Sequence, residues 1–215
     1  MKKKYLVSCI ISIVSVALAF GIWELKLNKQ DSLPIFNAEF FPAYLRADQG
    51  YEKQHFIQPF SFKNQLNQNV NAAIFDDKVT VVSFFYANCT LVCPTIIRKL
   101  KTVQSAILDK SDVQILSITI TPTIDTPEVL NMYAKENNIQ PDKWQLLTGN
   151  MNDIIEFARN SFFVLTSDKN RWNQNIHSET LFLVDLNKQI RGVYNATQRK
   201  DIENLLADIY SLSKK

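Results

Sequence analysis

Glycine is scarce in this chain, with four in 215 residues. That scarcity excludes glycine-rich phosphate cradles, and neither a P-loop nor a dinucleotide fingerprint can be found. Clustered positive charge is missing too. Beyond Lys2–Lys4 the lysines and arginines are scattered, and the formal net charge is +3. The chain therefore lacks the electrostatic footprint of a nucleic-acid binder. No internal repeat or low-complexity tract is present. Cysteine and histidine are few, three and two respectively. Thiol and imidazole chemistry must draw on Cys9, Cys89, Cys93, His55 and His177. What is plentiful is apolar residues, at 46%, enough for the core of one domain.

The amino terminus predicts a membrane segment. Lys2–Lys4 precede an apolar run from Tyr5 to Trp23, and about 19 such residues can cross the hydrocarbon core. The basic flank stays in the cytoplasm, which puts the rest of the chain on the outer, periplasmic-type side. Ala17-Leu18-Ala19 reads as an alternative signal-peptidase site. The apolar run continues through Phe20–Trp23, which favours an uncleaved single-pass anchor. Leu6-Val7-Ser8-Cys9 is reminiscent of a lipoprotein box, but the apolar stretch follows Cys9 instead of preceding it. Cys9 reads as an inert residue of the span. The expected organisation is an anchor over 1–27, a polar tether over 28–54 and one domain over 55–215.

The domain reads as alternating strands and helices. Val79–Tyr86 and Val113–Ile120 are near-continuous β-branched and aromatic runs, expected of central strands buried on both faces. Between them Ile96, Leu100, Val103 and Ile107 recur at helical spacing. Phe56–Phe62 predicts an opening strand that Pro59 makes an edge or irregular one. Further expectations are a helix over Thr126–Asn137 with Pro127 in its first turn, a short strand over Trp144–Leu147 and a helix over Asn152–Arg159. Strands over Thr180–Asp185 and Gln189–Tyr194 turn at Leu186-Asn187-Lys188, and Lys200–Ser211 closes the chain as an amphipathic helix. This order is that of a thioredoxin-like α/β fold, a mixed central sheet flanked by helices. Its first two long strands are expected to be parallel and joined by a right-handed crossover.

Cys89 and Cys93 fall where the central strand hands over to the first helix. In an oxidising compartment the default reading of such a pair is a structural disulfide. A loop this short removes little entropy from the unfolded chain, so it is a poor staple. A strand end and a helix amino terminus together favour the thiolate, the form that binds metal or attacks disulfides. Three residues, Thr90, Leu91 and Val92, separate the pair, one more than in thioredoxin-type oxidoreductases. Positions four apart share a helix face. Two soft thiolates suit Cu(I) or zinc, and a third nitrogen ligand suits copper in either oxidation state. His177 stands just before the strand Thr180–Asp185, and spacing alone does not choose between a ligand and an ordinary loop histidine. His55 reads as an ordinary histidine beside the tether.

Four stretches taken together carry a family resemblance. They are Val81–Thr95 (VVSFFYANCTLVCPT), Ser117–Leu130 (SITITPTIDTPEVL), Ile176–Asp185 (IHSETLFLVD) and His55–Phe62. Over roughly residues 55–210 the chain resembles the Sco/SenC family of copper-binding assembly proteins for cytochrome c oxidase. The resemblance implies that Cys89, Cys93 and His177 bind one copper ion. It also implies that the partner is the copper-bearing oxidase subunit, with other copper carriers as further partners. Some positions depart from the family pattern. Thr121-Pro122 stands for its Asp-Pro, Ile176 for the Asp before the metal histidine, and Thr90-Leu91 where an acidic residue follows the first cysteine. These bear on partner recognition and on tuning of the ligands.

Three functions follow. The first is a copper metallochaperone, not a conventional enzyme. The second is a thiol–disulfide oxidoreductase using Cys89 and Cys93 to keep a client's copper-binding cysteines reduced. The third is a binding domain with a plain disulfide. Among other candidates, Asp125 reads as a helix cap and Asp185 as a strand-end turn residue. Phe84, Phe85, Phe162 and Phe163 read as core and rim, with some forming a collar around the site. Asn195-Ala196-Thr197 and Asn88-Cys89-Thr90 are weak matches to a glycosylation pattern. The basic residues of the last helix read as a solvated face.

Overall fold

The computed structural model describes residues 33–37, 40, 55–88, 93–164 and 179–213, with Cys93 described by its backbone. The chain divides into two compact units, Met1–Leu33 and Pro34–Lys215, and the elements below belong to the second. Among the described residues no helix is long and apolar enough to cross a membrane. The expected anchor at residues 5–23 lies outside them.

The strands are β1 (Ser61–Asn64), β2 (Asn69–Asn71), β3 (Val79–Phe85), β4 (Val113–Thr119), β5 (Trp144–Thr148), β6 (Thr180–Val184) and β7 (Ile190–Asn195). They form one seven-stranded sheet in the order β2-β1-β5-β4-β3-β6-β7. The helices are α1 (Cys93–Ala106), α2 (Pro127–Glu136), α3 (Met151–Phe162) and α4 (Arg199–Leu212), with a 3-10 turn at Ala72–Phe75. β3, β4 and β5 are mutually parallel. β1 and β6 pair antiparallel on either side of that trio, and the β6–β7 hairpin closes one edge. The mixed sheet flanked by helices is the expected fold class.

β3 and β4 are buried at every position, as the unbroken apolar runs require of strands covered on both faces. Successive residues of β3 point to opposite faces. Phe85 meets Tyr133 of α2 at 5.7 Å between ring centroids, whereas Phe84 meets Phe162 of α3 at 5.6 Å. The α3 face holds an aromatic cluster in which Phe157 touches Phe60, Phe62 and Phe162. All four phenylalanines read as core or rim are buried. Phe163, in the left-handed region at φ 54 where α3 ends, packs its ring against His55 at 4.3 Å between centroids, tilted by 46°.

Polar groups inside the sheet are satisfied across the register. Ser83 lies opposite Ser117, their hydroxyls 2.7 Å apart, and Trp144 Nε1 donates to Ser117 Oγ at 2.8 Å. Pro127 stands in the first turn of α2 as read, being its first residue, but the cap is Thr126, which accepts from Val129 N, and not Asp125. The opening strand is shorter and later than Phe56–Phe62 predicts. Residues 55–60 form no strand; Pro59 has no N–H to give a ladder. They are fixed instead by single bonds, from Ile57 N to Lys188 O at 2.9 Å and from Gln58 N to Ser161 Oγ at 3.0 Å. The turn into β2 comes from an asparagine signal that periodicity misses. Asn64 Oδ1 accepts from Leu66 N and Gln68 N, and Asn67 takes φ 60.

Ser117→Ala should cost about 1–3 kcal/mol, because it strands the buried Trp144 N–H and Ser83 hydroxyl. Ser83→Ala, which leaves the Trp144–Ser117 bond intact, should cost less; paired urea titrations compare them. A second prediction concerns alkaline pH. Burial, and then Asp208, whose Oδ2 accepts from the Tyr194 hydroxyl at 2.7 Å, push the Tyr194 phenol far above its ordinary value. A folded-state value above the unfolded one means that this contribution is complete below about pH 10 and is lost as pH rises past it. Tyr194→Phe should flatten that loss in unfolding midpoints measured from about pH 8 to 11.

Candidate metal centre

Parallel pairing brings several chain segments to one edge of the sheet. In the β3–β4 register Phe85 lies opposite Thr119, so both strands end at the same level. The bond from Ile120 N to Phe85 O, at 2.8 Å, continues the pairing past the ladder. β6 begins at this edge as well, with Leu181 opposite Ser83 one residue after Thr180. Cys89 stands four residues beyond the end of β3, Cys93 is the first residue of α1, and His177 precedes β6 by three. Cys89 and His177 lie outside the described residues, and of Cys93 the backbone alone is described. Among the described residues no group of three His, Cys, Asp or Glu side chains could hold a metal ion. This carboxyl edge is where open α/β sheets gather their ligands.

The described residues at the edge are held by carboxylates. Asp125 is fully buried, and its Oδ2 accepts three hydrogen bonds: from Ala87 N at 3.1 Å, Thr119 Oγ1 at 2.5 Å and Thr121 Oγ1 at 2.9 Å. Thr119 Oγ1 also accepts from Thr121 N at 3.0 Å. Oδ1 is buried and has no hydrogen-bond partner among the described residues. The helix-cap role expected of Asp125 belongs to its neighbour Thr126. The β4–α2 connection turns Asp125 inward under the segment leading to Cys89, away from the helix end. A hydroxyl at 121 acts as a donor here, so the departure from Asp-Pro leaves one carboxylate with two hydroxyl partners.

A second clamp holds the start of β6. Glu179, two residues after His177, accepts through Oε2 from Asn195 Nδ2 at 2.9 Å and from Thr197 Oγ1 at 3.1 Å. Its carbonyl accepts from Ala196 N at 2.5 Å. The Asn195-Ala196-Thr197 stretch is thus engaged in a turn, with Asn195 Oδ1 accepting from Thr197 N at 2.8 Å. Periodicity could not find Glu179; an acidic residue just ahead of a strand is too common a signal.

The remaining candidates are structural. His55 is buried, its Nε2 lies 2.9 Å from Ser161 O, and its backbone N donates to Asn37 Oδ1 at 3.2 Å. That is the ordinary role expected of it. Asp185 is the turn residue it was read to be. Its Oδ1 accepts from Asn187 N and Gln189 N, while Oδ2 pairs with Arg191 at 2.7 Å.

A mixed sheet whose central strand is followed by a Cys-x-x-x-Cys-Pro stretch leading into the first turn of the next helix is that of a thioredoxin-like protein with a cysteine pair at the strand–helix junction. The chain belongs to the SCO1/SenC family, whose model matches residues 48–214. It is similar to the SCO1 protein homolog of Bacillus subtilis, at 28% identity over 159 residues, covering 73% of this chain and 82% of that protein. The structure of BsSco, a member of the Sco family of cytochrome c oxidase assembly proteins with a disulfide switch, superimposes with a TM-score of 0.65 at 27% identity. That match covers 74% of this chain and 94% of BsSco. The copper-bound ScoI of Bradyrhizobium japonicum shares the fold, with a TM-score of 0.58 at 22% identity over 73% of this chain and 99% of that one.

Glu179→Ala removes the acceptor for Asn195 Nδ2 and the Thr197 hydroxyl. It should lower hydrogen-exchange protection of the Ala196 amide about tenfold, for a loss of about 1–1.5 kcal/mol. Unchanged protection would mean that the Glu179 side chain does not hold the start of β6.

Proposed function

We propose that this chain is a membrane-anchored copper carrier. It binds one copper ion through Cys89, Cys93 and His177 and delivers it to the dinuclear copper site of cytochrome c oxidase. One observation carries the reading: a member of the SCO1/SenC family has Cys89-Thr90-Leu91-Val92-Cys93-Pro94 running from beyond the end of β3 into the first turn of α1. The donor set fits the cargo, since two soft thiolates with one imidazole are copper ligands. ScoI of Bradyrhizobium japonicum holds copper, and BsSco belongs to a family of oxidase assembly proteins. Both are consistent with the same role here. Copper leaves by ligand exchange, client thiolates replacing those of Cys89 and Cys93. The apolar segment Tyr5–Trp23 serves as the anchor, keeping the domain on the outer side beside a membrane-embedded client.

A second reading is favoured by the disulfide switch of BsSco. One thiolate of the Cys89–Cys93 pair attacks a client disulfide and forms a mixed disulfide. The other cysteine resolves it, leaving the client with two thiols and this chain with a Cys89–Cys93 disulfide.

The deciding experiment is anaerobic titration of the reduced full-length chain with Cu(I) against a chromophoric chelator. One equivalent should bind tightly, and Cys89→Ser, Cys93→Ser and His177→Ala should each weaken binding by at least about tenfold, or about 1.4 kcal/mol. A wild-type chain that fails to compete for Cu(I) would sink the carrier reading and leave the reductase reading to be tested by trapping the mixed disulfide.

A further inference from the structure

We infer that Asp125 is a positioning residue of the Cys89 arm, an inference that rests on the copper reading proposed above. The argument begins with chain direction. β3 and β4 end level with each other, so the segment after β3 and the segment after β4 emerge side by side. The first runs through Ala87 to Cys89, and the second through Thr121 to Asp125. Past Phe85 the β3 chain has left the ladder, and its backbone N–H groups need other acceptors. Ala87 N finds one in Asp125 Oδ2 at 3.1 Å, two residues before Cys89.

That acceptor is itself fixed. Thr119 Oγ1, at 2.5 Å, and Thr121 Oγ1, at 2.9 Å, donate to the same oxygen, and Thr121 N donates to Thr119 Oγ1. A hydroxyl that accepts one bond and donates another in a buried setting strengthens both. Asp125 is completely buried, so water does not compete for its carboxylate. The result is a rigid post at the end of β4 to which the backbone leading into Cys89 is tied. All of this falls on one oxygen. Oδ1 holds nothing among the described residues, so replacing it with an amide NH2 breaks none of these bonds. Asn at 125 therefore keeps the tie, and Ala removes it.

This gives a test that a merely structural role would not pass. Asp125→Ala and Asp125→Asn are prepared in the full-length chain and compared with wild type by two readouts. Cu(I) affinity comes from chelator competition, and hydrogen exchange at the Ala87 amide is read in the metal-free protein. Asp125→Ala should bind Cu(I) about 10–100-fold more weakly, the range for loss of a group that orients metal ligands. Its Ala87 amide should lose protection about tenfold beyond any loss at Leu116 in the core of β4. Asp125→Asn should restore both to within about threefold of wild type, because its amide oxygen can still accept from Ala87.

Asp125→Ala matching wild-type affinity, or Asp125→Asn as weak as Asp125→Ala, would overturn the inference. Should Asp125→Ala fail to fold, the Thr119→Val/Thr121→Val double variant keeps the Ala87 acceptor but frees its carboxylate. It should show the same two losses in smaller measure, and wild-type values there would also overturn the inference. Wild-type protein that binds no Cu(I) overturns the copper reading, and the Ala87 exchange then still decides whether Asp125 ties the arm.

Discussion

The in-register parallel pairing of β3 with β4 is the constraint on which the rest depends. Seven consecutive residue pairs, from Val79↔Val113 to Phe85↔Thr119, are buried on both faces. A shift of one residue would exchange the faces of every side chain. It would turn Phe84 away from α3, Phe85 away from Tyr133, and Ser83 away from Ser117. Each of those contacts therefore helps fix the register, and the register sets the level at which both chains leave the sheet.

From that level the site follows. The chain after β3 and the chain after β4 must emerge together, so a backbone N–H two residues before Cys89 can meet a carboxylate that is far away in sequence. The same logic governs β6. Running antiparallel to β3, it starts at the edge where β3 ends, and this brings the attachment point of the His177 segment to the cysteine edge. Both arms are then tied by buried or half-buried carboxylates, Asp125 on one side and Glu179 on the other. A loosely held ligand set would lose affinity to the entropy of ordering it; on the proposed copper reading, ties just outside the proposed ligand positions would reduce that cost.

The opposite end of the sheet is organised by different bonds. Val184 pairs with Thr80, so the β6–β7 turn lies at the start of β3. There the Arg191–Asp185 ion pair fastens the hairpin on itself, while the bonds from Arg191 Nε to Pro34 O and from Phe36 N to Ile190 O tie the segment leading into the domain to it. The two ends divide the labour: one secures the approach of the chain, and the other gathers the chain segments on which the proposed ligands stand.

Much of this was legible from the residues. The unbroken apolar runs marked the two buried strands because strands covered on both faces have no polar side to alternate with. Pro127 behind Thr126 marked the start of α2 because the first helical turn does not need that N–H. The cysteine spacing and its place after the central strand identified the junction, and together with the other quoted stretches they carried the family. What the sequence could not determine was which distant groups meet. Asp125 beside Thr126 and Pro127 has the local look of a cap. Its inward turn follows from where β3 ends in space, and that depends on pairing between strands far apart in the chain. Pro59 was rightly read as hostile to a central strand, yet the irregular course of residues 55–60 depended on acceptors offered by Lys188 and Ser161. Local pattern sets the elements because backbone sterics and side-chain period act over a few residues. Tertiary structure alone decides the contacts of a buried polar group, because its partners come from whichever segments the sheet brings to the same edge.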